Sequence, residues 1–91
     1  MSYGYHITGD ALADLREFDG WLQEEVLDEL ERLAQDPKRL RAGKDGEAIH
    51  DFDRRLQDVR HVIFVSVRLN DAAQVLTVIG IASCSTEWRE P

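Results

Sequence analysis

The sequence predicts an α+β fold with the order strand-helix-helix-strand-strand-strand, in which a twisted antiparallel sheet carries two helices packed on one face. Two observations support this prediction. The segments Asp58 to Leu69 and Val75 to Ala82 are rich in Val and Ile and are joined by a short polar turn, which is typical of neighbouring strands. Upstream of them, leucines recur at helical spacing. We expect a single domain over residues 1–91, because a chain of this length forms one modest core.

The N-terminal part of the chain predicts a short strand and two helices. Tyr3 to Thr8 alternates aromatic or aliphatic residues with smaller ones, as a strand does. Asp10 is a suitable N-cap for the first helix, which Asp19-Gly20 ends. The second helix starts near Trp21 and stops at Asp36-Pro37, because proline disfavours helical geometry in the residue before it.

The second predicted helix is amphipathic. Its apolar stripe should be buried and consists of Leu22, Val26, Leu30 and Leu33. Its other face is acidic and consists of Glu24, Glu25, Asp28, Glu29 and Glu31. We interpret the acidic face as solvated, with a docking surface for a basic partner as the alternative. Leu30→Ala is therefore expected to destabilise the fold by about 2–5 kcal/mol, and Glu29→Ala to cost little.

The segments between and after these elements are less regular. Lys38 to Gly46 is polar and contains two glycines, which predicts an exposed basic loop. Glu47 to Leu56 predicts a strand in which Ile49 and Phe52 fall on opposite faces unless a bulge intervenes. The tail from Ser83 to Pro91 is expected to be a short edge segment or frayed.

The strand from Asp58 to Leu69 has two different faces. Because side chains in a strand alternate, one face is apolar and should belong to the core: Val59, His61, Ile63, Val65 and Val67. The other face begins and ends with Arg60 and Arg68, and any chemistry is to be sought there.

Composition limits the class of protein. The net charge is −7, divided into −8 over residues 9–36, +3 over 37–69 and −2 over 70–91. We therefore expect no attraction of the whole protein to nucleic acid, but the positive middle segment is compatible with a local basic surface. The sequence has no apolar span of 18 residues and no basic and hydrophobic leader at its start, which predicts a cytoplasmic protein without a membrane partner.

Recognisable catalytic motifs are missing from the sequence. It contains no Gly-rich phosphate loop, no paired-cysteine motif, no HExxH and no GxSxG. Three histidines, His6, His50 and His61, fall in predicted strands, and the lone cysteine, Cys84, follows the last predicted strand, without metal-ligand spacing among them. We therefore expect no metal and no cofactor.

The basic residues are the strongest candidates for a site. Four lie in the predicted loop, Lys38, Arg39, Arg41 and Lys44, and four lie on or beside the sheet, Arg54, Arg55, Arg60 and Arg68. Guanidinium groups suit phosphate oxygens and stabilise the charge that builds up in phosphodiester cleavage. The alternative is that the arginines pair with nearby acids such as Asp51 or Asp53.

Three segments together resemble the RelE/ParE toxin superfamily of bacterial toxin-antitoxin modules. The opening strand and helical hairpin of that family resemble YHITGDALADLREF together with the helix end LERLAQDP. Its arginine-led strand is similar to DVRHVIFVSV, and its last strand is similar to VLTVIGIASC. The resemblance covers roughly residues 3 to 88. It implies the toxin of a type II module, neutralised by a cognate antitoxin.

The resemblance also implies an activity and its residues. The expected activity is metal-independent cleavage of mRNA on the ribosome, and Arg60 matches the family's catalytic, phosphate-stabilising residue; a gyrase-directed toxin is an alternative. From their place on or beside the sheet, we interpret Arg54, Arg55 and Arg68 as substrate-binding cations. The chain departs from the family pattern at Ser83-Cys84-Ser85, where many members have Arg or His, and at Trp88, the aromatic nearest to a C-terminal Tyr. These departures favour a second class of function, a non-catalytic module that binds an antitoxin-like partner or forms a homodimer.

Overall fold

The protein folds into two helices and one four-stranded sheet, and a computed structural model describes residues 3–37, 40 and 46–87. The elements follow the predicted order: β1 (Gly4–Ile7), α1 (Gly9–Arg16), α2 (Gly20–Gln35), β2 (Glu47–Leu56), β3 (Val59–Asn70) and β4 (Val75–Glu87). The α+β fold class is therefore confirmed. The predicted basic loop lies outside the described residues except for Leu40, which is buried, and Gly46, and Trp88 also lies outside them.

The sheet has the strand order β1-β4-β3-β2. The last three strands form the predicted antiparallel meander, whereas β1 runs parallel to β4. A parallel neighbour requires a crossover connection, and the helical segment between β1 and β2 belongs to that connection. The sheet is consequently mixed, and its two edges are β1 and β2.

The hairpin of β2 and β3 has an uninterrupted register. Leu56 pairs with Val59 across a two-residue turn, in which Gln57 has φ 57°. The pairing continues without a bulge to Glu47. Ile49 and Phe52 thus lie on opposite faces, where Ile49 is 68% exposed and Phe52 packs against the core.

A bulge in β4 lets that strand bury residues of both parities. Ser66 pairs with Gly80 and Val67 with Val78, which leaves Ile79 as the extra residue. Val78 and Ile81 therefore both reach the core. β4 continues to Glu87, so the alternative of a frayed segment after Ala82 is wrong for residues 83–87, which pair with β3 as far as Val59. Because β1 pairs with β4 over Val75 to Val78 only, residues 83–87 form an edge segment of the described sheet, which was the other alternative.

Both helices contribute to one core on one side of the sheet. The stripe of α2 is buried as predicted, and it packs with the core-facing residues of β3, which are Ile63, Val65 and Val67. The N-cap of α1 is Thr8 rather than the predicted Asp10, because the Thr8 hydroxyl accepts from the backbone N–H of Ala11. The end of α2 before Asp36 is confirmed. In the described ranges, neither helix is long and apolar enough to span a membrane.

Candidate functional site on the open sheet face

The sheet face opposite the helices, here called the open face, carries the candidate site. On β3 it presents Arg60, Val62, Phe64, Ser66 and Arg68, the alternating set that the sequence predicts. Phe64 is 40% exposed, and Ile49, diagonal to it on β2, is the most exposed large apolar residue in the part of the chain that the structure describes. Exposure of this kind shows that neither helix covers the face.

Three of the four predicted site arginines lie on the open face. Arg60 and Arg55 face each other across the β2–β3 ladder, and Arg60 Nε donates to the Asp53 carboxylate at 3.1 Å. Arg68, near the other end of β3, donates to Glu47 at 2.6 Å. Both of these ion pairs are about half exposed. The alternative in which the arginines pair with acids is thus observed for Arg60 and Arg68.

Arg54 lies on the opposite face of the sheet. Its side chain points toward α2, because neighbouring residues of a strand alternate faces. There it makes ion pairs with Glu25 and Glu29, each at 3.3 Å, and its guanidinium lies 4.9 Å from the centre of the Phe52 ring. The structure therefore brings Arg55, Arg60 and Arg68 to one face and separates Arg54 from them.

A set of polar side chains packed between α2 and β2 joins these two elements. It consists of Glu29 with its partners His50 and Arg54 and is here called the Glu29 cluster. The Glu29 side chain is 7% exposed and accepts from His50 Nε2 at 3.0 Å and from Arg54 at 3.3 Å. Arg32 Nη1 lies 3.6 Å from Glu29 Oε2. Burial raises the pKa of Glu29, but the hydrogen bond and charge of His50, followed by those of Arg54, outweigh burial and lower the pKa below its usual value.

The predicted exposure of Glu29 is wrong. Glu29 was expected on a solvated face, where its replacement by Ala would cost little stability, whereas it is buried between the helix and the sheet. A signal was present in the sequence, because Glu29 follows Val26 by three residues and precedes Leu33 by four, at the border of the apolar stripe. The remaining acids of that face, apart from half-buried Glu25, are exposed as predicted.

Asp53 was named in the sequence only as one potential ion-pair partner, and the structure places it at the centre of the site. It has the same parity in β2 as Arg55, so it shares the open face with Arg60. The side-chain alternation of β2 was readable from the sequence. The register that brings Asp53 within hydrogen-bonding distance of Arg60 depends on the turn at Gln57-Asp58, whereas the sequence predicted only that one strand ends at Leu56 and the next begins at Asp58.

The histidines and the cysteine do not converge. His50 belongs to the Glu29 cluster, while the His61 ring contacts Trp21 edge-on at 5.4 Å and its Nδ1 lies 2.8 Å from the Ser85 hydroxyl. Cys84 is exposed and free. Within residues 3–37, 40 and 46–87, no group of three or more His, Cys, Asp or Glu residues is placed to hold a metal ion.

Three solved structures that resemble this chain are one toxin and two toxin-antitoxin complexes. The RelBE2 toxin-antitoxin complex of Mycobacterium tuberculosis matches with a TM-score of 0.66 and 18% identity over 92% of this chain and 93% of that chain. A mutant of the Escherichia coli toxin RelE in the free state matches with a TM-score of 0.69 and 15% identity over 90% and 83%. The intact E. coli RelBE complex matches with a TM-score of 0.61 and 18% identity over 99% and 100%.

These likenesses identify the fold. No protein-family model and no curated protein matches the sequence at a significant score. The structural matches nevertheless span nearly the whole chain and preserve the arrangement of the helices and the sheet. The chain has the RelE fold, and the resemblance to the RelE/ParE superfamily is confirmed at the level of fold.

Proposed function

We propose that the protein is the toxin of a type II toxin-antitoxin module and that it cleaves mRNA on the ribosome. The observation that carries the proposal is the RelE fold across the chain together with Arg60 on the uncovered sheet face. Fold alone does not determine chemistry, so the proposed activity depends on the residues of the open face.

Arg60 and Asp53 supply complementary roles in phosphodiester cleavage. The Asp53 carboxylate takes the proton of the ribose 2′-hydroxyl, the resulting oxygen attacks the adjacent phosphorus, and the 5′-oxygen leaves with a proton from solvent. The Arg60 guanidinium, a permanent cation, stabilises the negative charge that develops on the phosphoryl oxygens. Substrate phosphate exchanges for one of the two groups of an exposed ion pair, an exchange that costs little in water.

The remaining arginines of the open face position the substrate. Arg55 lies beside Arg60, and Arg68 lies eight residues further along the same strand, so that a single-stranded backbone crossing the face meets cations at two places. Arg54 is assigned a different role, because its partners are Glu25 and Glu29 on the helix side.

The proposed toxin is tested by induced expression in a bacterial host at matched protein levels. Wild type and the surface control Arg16→Ala are expected to arrest growth, whereas Arg60→Ala and Asp53→Asn relieve the arrest and leave ribosome-bound mRNA intact. Equal cleavage by wild type and Arg60→Ala would overturn the assignment of Arg60. Arrest without mRNA cleavage would redirect the proposal to a different target such as gyrase.

A second candidate function is a non-catalytic interaction module, bound by an antitoxin-like partner or by a second copy. The observation that favours it is the balance of the open face, where Arg55, Arg60 and Arg68 are matched by the acids Glu47, Asp51 and Asp53 around exposed Ile49 and Phe64. An apolar centre with paired charges at its rim is typical of protein interfaces.

Light scattering with a matched pair of variants tests this second function. If the module self-associates through the open face, the wild-type protein is dimeric and Ile49→Asp is monomeric, while Leu27→Asp on the exposed side of α2 remains dimeric. A monomeric wild type that leaves mRNA intact and binds no antitoxin would remove this candidate.

A further inference from the structure

A chain of polar contacts runs from α2 through the sheet to the open face. Glu25 and Glu29 each lie 3.3 Å from nitrogens of the Arg54 guanidinium. A third nitrogen of that group, Nη1, donates to the backbone carbonyl of Asp53 at 2.8 Å. The Asp53 carboxylate accepts from Arg60 on the other side of the sheet. One guanidinium thus connects the helix to the residue that holds Arg60.

The Asp53 carbonyl belongs to the outer edge of the sheet. β2 pairs only with β3 in the described sheet, and the two-residue turn makes Leu56 and Val59 a hydrogen-bonded pair. Backbone groups alternate between inward and outward directions along an antiparallel strand, so those of Asp53 point away from β3. No described strand holds this peptide group from outside, and Arg54 binds it instead.

The anchor at the other end of Arg54 is rigid. Glu29 is buried, its second carboxylate oxygen is held by His50, and it projects from a helix whose neighbouring Leu30 is fully buried. Three different nitrogens of the planar guanidinium bind the two carboxylates and the carbonyl, whereas lysine would have to bring all three acceptors to one compact ammonium.

We propose that Arg54 is a positioning residue, which ties the Asp53 peptide group to the Glu29 cluster and thereby sets the orientation of the Asp53–Arg60 pair on the open face. The catalytic consequence rests on the proposed cleavage of RNA. The orientation of the Asp53–Arg60 contact by Arg54 does not depend on whether the protein cleaves RNA.

The test compares Arg54→Gln with His50→Gln by NMR of the Arg60 Nε–Hε group. Both substitutions replace a side chain that binds Glu29, but only the first takes away the guanidinium nitrogen bound to the Asp53 carbonyl. We expect Arg54→Gln to shift the Arg60 resonance and to speed exchange of its proton with water several-fold, and His50→Gln to leave both unchanged. Glu25→Gln, which removes one anchor at a half-buried site, is expected to give a smaller effect in the same direction and serves if Arg54→Gln does not fold.

Unchanged Arg60 signals in folded Arg54→Gln and Glu25→Gln would overturn the proposal, as would equal shifts in Arg54→Gln and His50→Gln. In the cleavage assay kcat is expected to fall by about 100-fold in Arg54→Gln with KM nearly constant, as for a catalytic group displaced by about 1 Å, and Arg54→Lys is expected to rescue only part of the loss. If wild type cleaves no RNA, the proposed function fails while the NMR comparison still decides the role of Arg54.

Discussion

The two faces of the sheet use the same chemical pair, arginine with carboxylate, for opposite purposes. On the helix side Arg54 and Glu29 are largely withdrawn from water, and Glu29 has a further partner in His50. On the open face Arg60–Asp53 and Arg68–Glu47 are about half exposed. Removing one member of a buried pair strands the other, whereas an exposed pair separates with little loss. The difference teaches that burial, rather than residue type, separates structural arginines from those available to a ligand.

The largest effect is expected in the apolar layer between the faces. Leu30 is fully buried, so Leu30→Ala should lower the free energy of unfolding by about 2–5 kcal/mol through lost apolar burial and the cavity left behind. Urea unfolding followed by circular dichroism measures the change. Leu27→Ala, at the exposed side of the same helix, is the control and should lose far less.

Next in size is the loss of the buried carboxylate. Glu29→Ala removes the partner of His50 and Arg54 and should cost about 3 kcal/mol, as for a broken buried ion pair. Glu31→Ala, two residues away and exposed, should stay within about 0.5 kcal/mol of wild type. Equal urea midpoints for the two variants would place Glu29 in solvent and contradict the structure.

The pH dependence of stability sharpens the same point. The pKa of Glu29 is lower in the folded protein than its ordinary value of 4.5, so its contribution to stability is present above pH 4.5 and is lost as the pH falls through the folded-state value. Glu29→Gln should therefore lose less stability than wild type between pH 5 and pH 3, measured as the shift of the urea midpoint. Glu24→Gln, on the exposed side of α2, should follow the wild-type curve.

The smallest effect is expected on the open face. Arg68→Ala breaks the exposed pair with Glu47 and should change the free energy of unfolding by less than about 1 kcal/mol. Added salt should reduce even that difference, since exposed charges are screened. A loss comparable to that of Glu29→Ala would mean that the open face is covered in solution, and light scattering on the same samples would show whether a second copy covers it.

Much of the fold was predictable because its signals are local. Neighbouring residues in the sequence determine three of these signals: the helical period of α2, the proline after Asp36, and the runs rich in Val and Ile that form β3 and β4. Other features depend on contacts between distant segments. The parallel pairing of β1, the burial of Glu29 and the extension of β4 past Ala82 arise from partners that the sequence does not place.

The candidate site was predictable in part for the same reason. Alternation in β3 placed Arg60 and Arg68 on one face, and the structure agrees. Arg54 and Arg55 were grouped with them by proximity in sequence, although neighbours in a strand point in opposite directions. Asp53 gained its position from the register of the hairpin, which depends on the turn at Gln57-Asp58.

The bulge in β4 divides that strand into two segments whose side chains alternate with opposite parity. Before it, even-numbered residues such as Val78 face the core, and after it odd-numbered residues such as Ile81 do. Deleting Ile79 would therefore remove the bulge and leave a regular ladder, in which Gly80 still lies opposite Ser66 and Ile81 still faces the core opposite Val65. In a stretch that is paired without a bulge, the loss of one residue exchanges the two faces of everything beyond it, so the bulge marks the point in β4 where a shorter chain still keeps the two surfaces of the sheet distinct.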